Sequence, residues 1–174
     1  MKRSKTKSRK EKSPVHVRPG WDEYFLGLLE GISKRATCER GRCAAIIASP
    51  EHTILTTGYT GSAPGDDHCD EVGHFMVTLT YPDGSSSQHC QRTLHAEENA
   101  ILQAAMDGIP LKGATLYCKM TPCLYCARRI ARVGIKRVVV LKRYHAEKMT
   151  LEVFKKCGVK LETMEDKVEE YKNQ

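Results

Sequence analysis

Apolar side chains at Trp21, Tyr24, Phe25, Leu28, Leu29 and Ile32 return at the interval of a single helix face, and Pro19 with Gly20 punctuates the approach to them. A first helix is expected there. Two short β-rich runs follow, CAAIIAS at 43–49 and TILTTGY at 53–59, with turn chemistry around Pro50, and they read as a hairpin. From Thr60 to about Thr93 the chain is rich in Gly, Ser, Asp, His and Pro, with one short strand expected at FMVTLTY, 75–81. A loop of that length in a compact domain has a function or a staple holding it. Regular alternation then resumes, with a helix over 96–106, a strand at 114–120, a helix over 123–133, a strand at 137–141, a helix over 149–157 ending at Gly158, and a short strand at 159–162. Strands alternating with helices at these intervals predict βαβ units, so the later part of the sheet should be parallel with helices packed on it.

Composition narrows the class. A chain of 174 residues, 40% hydrophobic and 28% charged, fits one domain with a genuine core. Its longest apolar stretches, VVVL at 138–141 and AAIIA at 44–48, fall far below the roughly 20 residues needed to cross a bilayer. The formal charge of +7 is unevenly placed: residues 1–18 hold eight Lys/Arg against one Glu, so residues 19–174 are neutral. A neutral body weighs against nucleic acid as a partner. The Lys/Ser-rich tail is expected to be disordered, and it has no apolar core of the kind a secretory signal needs. Eight cysteines without such a signal point to a reducing, cytoplasmic location, where metal binding is favoured over disulfides. Cys43 and Cys118 sit in strand-like runs and are expected in the core.

Candidate chemistry enters with HAEENA, 95–100, where a histidine and two glutamates open an alanine-rich helix. Charges at a helix start have a bland explanation in the helix dipole. A second element changes that reading: TPCLYC, 121–126, lies one βα unit downstream at another strand-to-helix junction. His95, Cys123 and Cys126 can then aim three ligands at one point from two neighbouring helix starts. Three protein ligands leave a tetrahedral position open, the mark of a catalytic rather than a structural zinc site. Glu97, two residues after His95, can carry protons beside that position, while Glu98 is assigned to solvent or capping. An H-x-E element paired with P-C-x-x-C is the pattern of zinc-dependent nucleobase deaminases.

Beyond the zinc elements, the chain resembles the deoxycytidylate (dCMP) deaminases and the related competence-operon proteins. The resemblance runs through RPGWDEYF (18–25), KRATC (34–38), GYTGSAPG (58–65), HCDEVGH (68–74), HCQRTLHAEENAI (89–101), TPCLYCARRIARVGIKRVVV (121–140) and Tyr144. It implies a cytidine-deaminase-like three-layer α/β/α domain over residues 19–174, with a mixed sheet of about five strands. It implies zinc-dependent conversion of dCMP to dUMP and ammonia, with Glu97 as proton carrier, in a homo-oligomer that in many members is a hexamer, activated by dCTP and inhibited by dTTP. The family's usual GYNG is GYTG here, so Thr60 stands where an asparagine contacts the nucleotide, leaving another nucleotide as an alternative substrate; the basic tail leaves a base in RNA as a second. A non-catalytic nucleotide-binding relative is the remaining alternative, against which the intact Glu97 argues.

The resemblance also implies substrate contacts at Thr60, Ala96 and Tyr144. For the phosphate, Arg35 or Lys34 competes with Arg128, Arg129 and Arg132, whose position on a helix also suits a solvated face. Cys38, Cys69, His74 and Cys90 match positions that carry a second, structural zinc in many relatives, with His68 or His89 as substitutes for His74. His16, His52 and His145 are expected at the surface.

Overall fold

The computed structural model describes residues 16–80, 84 and 86–169. Residues 1–15 of the tail lie outside this range. Helix α1 spans Trp21–Ser33, with Asp22 and Glu23 in its first turn where carboxylates meet the positive end of the dipole. Strands β1 (Ala44–Ala48) and β2 (Ile54–Tyr59) form the expected antiparallel hairpin, Ala45 opposite Gly58. A short helix α2 (Cys69–Val72) precedes a second hairpin, β3 (Met76–Thr80) with β4 (Ser86–Cys90). Then come α3 (Ala96–Met106), β5 (Thr115–Met120), α4 (Leu124–Arg132), β6 (Arg137–Tyr144), α5 (Lys148–Cys157), β7 (Lys160–Thr163) and the two-residue β8 (Val168–Glu169).

The main sheet runs β2-β1-β5-β6-β7, with β8 added beside the end of β6. Strand β1 is antiparallel to both β2 and β5, whereas β5, β6 and β7 are parallel, giving the expected mixed sheet. Alternation along each strand divides the core into two layers. Ala45, Ile47, Leu116, Cys118, Val138 and Val140 pack under α3, α4 and α5. Ala44, Ile46, Ala48, Tyr117 and Val139 pack under Phe25 and Leu29 of α1. Helices on both faces explain why the central strands read as unbroken apolar runs.

Four expectations need correction. Strand β4 was hidden in the expected loop, because SSQHC lacks apolar alternation and is held by pairing with β3. Strand β6 continues beyond residue 141 through polar residues to the buried Tyr144. Trp21 and Tyr24, expected on the buried face of α1, are 53% and 42% exposed; Trp21 stacks on His52 with ring centroids 4.5 Å apart, so that surface histidine has an aromatic partner. Cys118 is buried, but Cys43 is only half-buried, and both line a cavity described below.

A polar joint fastens α1 to the sheet. Arg137 donates to both oxygens of Asp22 at 2.7 Å, Tyr117 Oη donates to Asp22 Oδ1 at 3.0 Å, and Arg137 Nε donates to Glu162 at 3.0 Å. Planar bidentate pairing of this kind adds orientation as well as energy.

Candidate active site

His95 caps α3 and Cys123 caps α4, both in extended backbone, so their side chains leave the helix axes at adjacent N-termini. Cys126 follows in the first turn of α4. His95 Nδ1 lies 3.4 Å from Cys123 Sγ and 3.5 Å from Cys126 Sγ. Tetrahedral ligands at zinc's usual ~2.0 Å to nitrogen and ~2.3 Å to sulfur stand about 3.5 Å apart, so the donor set fits that ion. Cys123 is held well below an ordinary thiol, first by the hydrogen bond from Cys126 and, against burial, by His95. The same pairing and burial push Cys126 up. Burial lowers the His95 imidazole, but Cys123 together with Glu97 and Glu98 outweighs it and leaves the ring at about 9. Of the two sulfurs, Cys123 is the one held toward its thiolate, the form that binds a metal.

Two local features set α3 in place. Asn99 Nδ2 donates to the carbonyls of Tyr59 and Gly61 at 2.8 and 3.2 Å, tying the helix to the end of β2 and the chain just after it. Gly58 allows the approach, since a Cβ there would meet the carbonyl oxygen of Ala96 at 2.2 Å. Arg129 of α4 pairs with Glu98 of α3 at 3.0 Å, so Glu98 is a bridge between the two helices rather than a solvated or capping residue.

Beside the cluster is a cavity of about 120 Å³ lined by Glu97, Thr60, Ala96 and Tyr144 together with His95 and Cys123. All the expected substrate contacts are there except Arg35, which is exposed just after α1 and does not line it. Nor do Lys34, Arg128, Arg129 or Arg132. The cationic wall comes instead from Arg40, on the turn after Cys38, and Lys119, near the end of β5. Neither stood out in the sequence, because nothing in their local spacing marks them. Glu97 is 8% exposed; burial pushes its carboxyl up, the Cys123 charge adds to this and His95 partly offsets it. A carboxyl whose pKa is raised by burial is better matched to proton transfer than an exposed one.

A second group forms as expected from Cys38, Cys69, His74 and Cys90, whose ligand atoms all lie within 4.8 Å of one another. Cys69 Sγ is 3.5 Å from Cys90 Sγ and Cys38 Sγ is 3.7 Å from His74 Nδ1. The other His74 nitrogen faces Glu39 at 3.6 Å, the outer-shell arrangement common to ligating imidazoles. Four ligands suit a closed structural site. His68 and His89 take no part; His89 lines the cavity instead. Because Cys38 and Cys90 also line it, this cluster fixes one of the cavity's walls.

Residues 19–142 match the cytidine and deoxycytidylate deaminase zinc-binding region. The chain is 34% identical over 148 residues to ComE operon protein 2 of Bacillus subtilis (strain 168), covering 85% of this chain and 73% of that protein. It is 33% identical over 149 residues to the deoxycytidylate deaminase of Schizosaccharomyces pombe, covering 86% of this chain but only 45% of that longer protein. Its fold superposes on the dCMP deaminase of cyanophage S-TIM5, solved in complex with dCMP and dUMP, with a TM-score of 0.66 and 27% identity, covering 86% of this chain and all of that one. With the His-x-Glu and Cys-x-x-Cys elements converging on one cavity and the match spanning most of the body, the chain belongs to the cytidine and deoxycytidylate deaminase zinc-binding family.

Proposed function

We propose that the protein hydrolyses dCMP to dUMP and ammonia. The observation that carries this reading is the joining of the His95–Cys123–Cys126 cluster and the buried Glu97 to a cavity whose wall holds Arg40 and Lys119. His95, Cys123 and Cys126 would hold a zinc ion, which when bound would supply Lewis acidity toward the attacking water. Glu97 carries a proton from the attacking water to the amine leaving C4 of the pyrimidine. Thr60, Ala96 and Tyr144 border the base and sugar, and the two cations face the 5′-phosphate; arginine's planar fork suits that group. Cys38, Cys69, His74 and Cys90 hold a second zinc that is structural.

Residues 19–174 constitute the deaminase domain and residues 1–18 a basic extension. Among the described residues no helix is long and apolar enough to cross a membrane; a reducing, cytoplasmic setting is part of the proposal, resting on the gathering of seven cysteine and histidine side chains into two candidate metal sites. Homo-oligomer formation and control by dCTP and dTTP belong to the same proposal.

The test is ammonia release from dCMP, CMP, deoxycytidine, dCTP and a short RNA, comparing zinc-loaded wild type with Glu97→Ala. Fastest turnover of dCMP, lost in the variant, is expected, and dCTP and dTTP are then added as effectors. Preference for RNA, or for another nucleotide admitted by Thr60, would replace the substrate assignment.

A further inference from the structure

Glu147 is a buried carboxylate outside the cluster of metal ligands, 6% exposed at the N-cap of α5. Its two oxygens serve different elements. Thr121 Oγ1, beyond the end of β5, donates to Oε2 at 2.6 Å, and Arg143 Nε, near the end of β6, donates to Oε1 at 2.6 Å. Both donors stand next to functional groups. Thr121 lines the cavity, is 2% exposed and precedes Cys123 by two residues; Arg143 directly precedes Tyr144, which also lines the cavity. From the same helix the buried Thr150 donates to the carbonyl of Pro122 at 2.8 Å. The peptide leading to Cys123 is thus gripped at two successive residues by α5.

An ion pair between a buried carboxylate and a half-exposed guanidinium is weak evidence for stability, because solvent screens one charge while the other is desolvated. A satisfied polar network does impose a single geometry. We propose that Glu147 is a positioning residue, setting the Thr121–Cys123 segment and Tyr144 in fixed register so that the Cys123 thiolate and the substrate wall stay aligned. This inference rests on Cys123 being a zinc ligand, as read above.

The test measures zinc affinity of the full chain by competition with a chromogenic chelator, beside KM and kcat for dCMP. Thr121→Val removes the donor at nearly constant shape, and Glu147→Met removes the carboxylate that accepts from it at similar volume. Each is expected to weaken zinc binding about tenfold, in the range found for outer-shell partners, and to raise KM at saturating zinc. The double variant should lose little more than either single, since both break one link, and Thr121→Ser should restore wild-type values. Affinity and KM within about twofold of wild type in the single variants, or losses that multiply in the double, would overturn the proposal. If Glu147→Met does not fold, the Thr121 pair decides alone. A wild type that binds no zinc sinks the metal-site reading itself, whereas unaffected variants sink only this inference.

Discussion

Gly58 of β2 lies so close to the first turn of α3 that a Cβ would come within 2.2 Å of the Ala96 carbonyl oxygen and 2.5 Å of the Ala100 nitrogen. Both are helix backbone atoms, so no side chain can rotate away. Gly58→Ala must therefore push α3, and with it His95 and Glu97, off the sheet. Overpacking of this kind costs about 1–3 kcal/mol and sometimes more. A lowered urea midpoint together with reduced zinc content is the expected outcome; an unchanged midpoint would mean that the helix is not seated as described.

Glu97→Gln keeps the volume of the side chain while removing its capacity to transfer protons. Turnover of dCMP should fall by about 10²–10⁴-fold, the usual contribution of general acid–base catalysis. Zinc content and melting temperature should stay near wild type, which separates loss of chemistry from loss of fold.

Arg40→Ala should act on the nucleotide and leave the nucleoside alone. A charge-assisted hydrogen bond is worth about 1.5–3 kcal/mol, so kcat/KM for dCMP should drop by about tenfold to a hundredfold. Deoxycytidine, having no phosphate, should be processed at the wild-type rate. Equal losses for the two substrates would reassign Arg40 to the shape of the cavity. Arg35→Ala, by contrast, should change neither.

Cys69→Ser should remove one zinc of two. The β3–β4 hairpin meets the body of the protein around the four-residue cluster, so the expected result is a lower thermal midpoint that responds less to added zinc, with the other zinc retained. Metal analysis beside calorimetry checks both parts, the response of the midpoint to zinc shrinking to what the retained site supplies.

The joint at Asp22 makes stability fall at both extremes of pH. The hydrogen bond from Arg137, against some burial and with help from Tyr117, holds the Asp22 carboxyl below its ordinary value of 3.8. Its contribution is present above that value and is lost as pH falls through the lowered pKa. Tyr117 behaves oppositely: burial first, then the bond to Asp22, pushes its phenol up from 10.0 to about 12, so its contribution is complete below the ordinary value and is lost as pH rises to about 12. Urea midpoints across both windows should show two declines in wild type; Asp22→Asn should remove the acid decline and shrink the alkaline one only by the part that Asp22 adds to burial.

The sequence by itself determined the catalytic constellation and the parallel half of the fold. His95, Glu97, Cys123 and Cys126 are legible because all four lie at one of two helix starts, and a helix start is written within a few residues. The βαβ alternation is legible for the same reason, as it depends on local periodicity. Resemblance to a family extended this to Cys38, Cys69, His74 and Cys90, and tertiary structure chose His74 over His68 and His89. What only the tertiary structure decided are relationships between distant or polar positions. Arg40 and Lys119, not Arg35, reach the cavity because the path of the chain between Cys38 and β1 and the end of β5 carries them there. Strand β4 is polar and owes its form to its partner. Arg137 meets Asp22 across 115 positions of sequence, and Thr121 meets Glu147 across 26. Such pairs leave no periodic trace, because each depends on two elements being docked before either side chain has a partner.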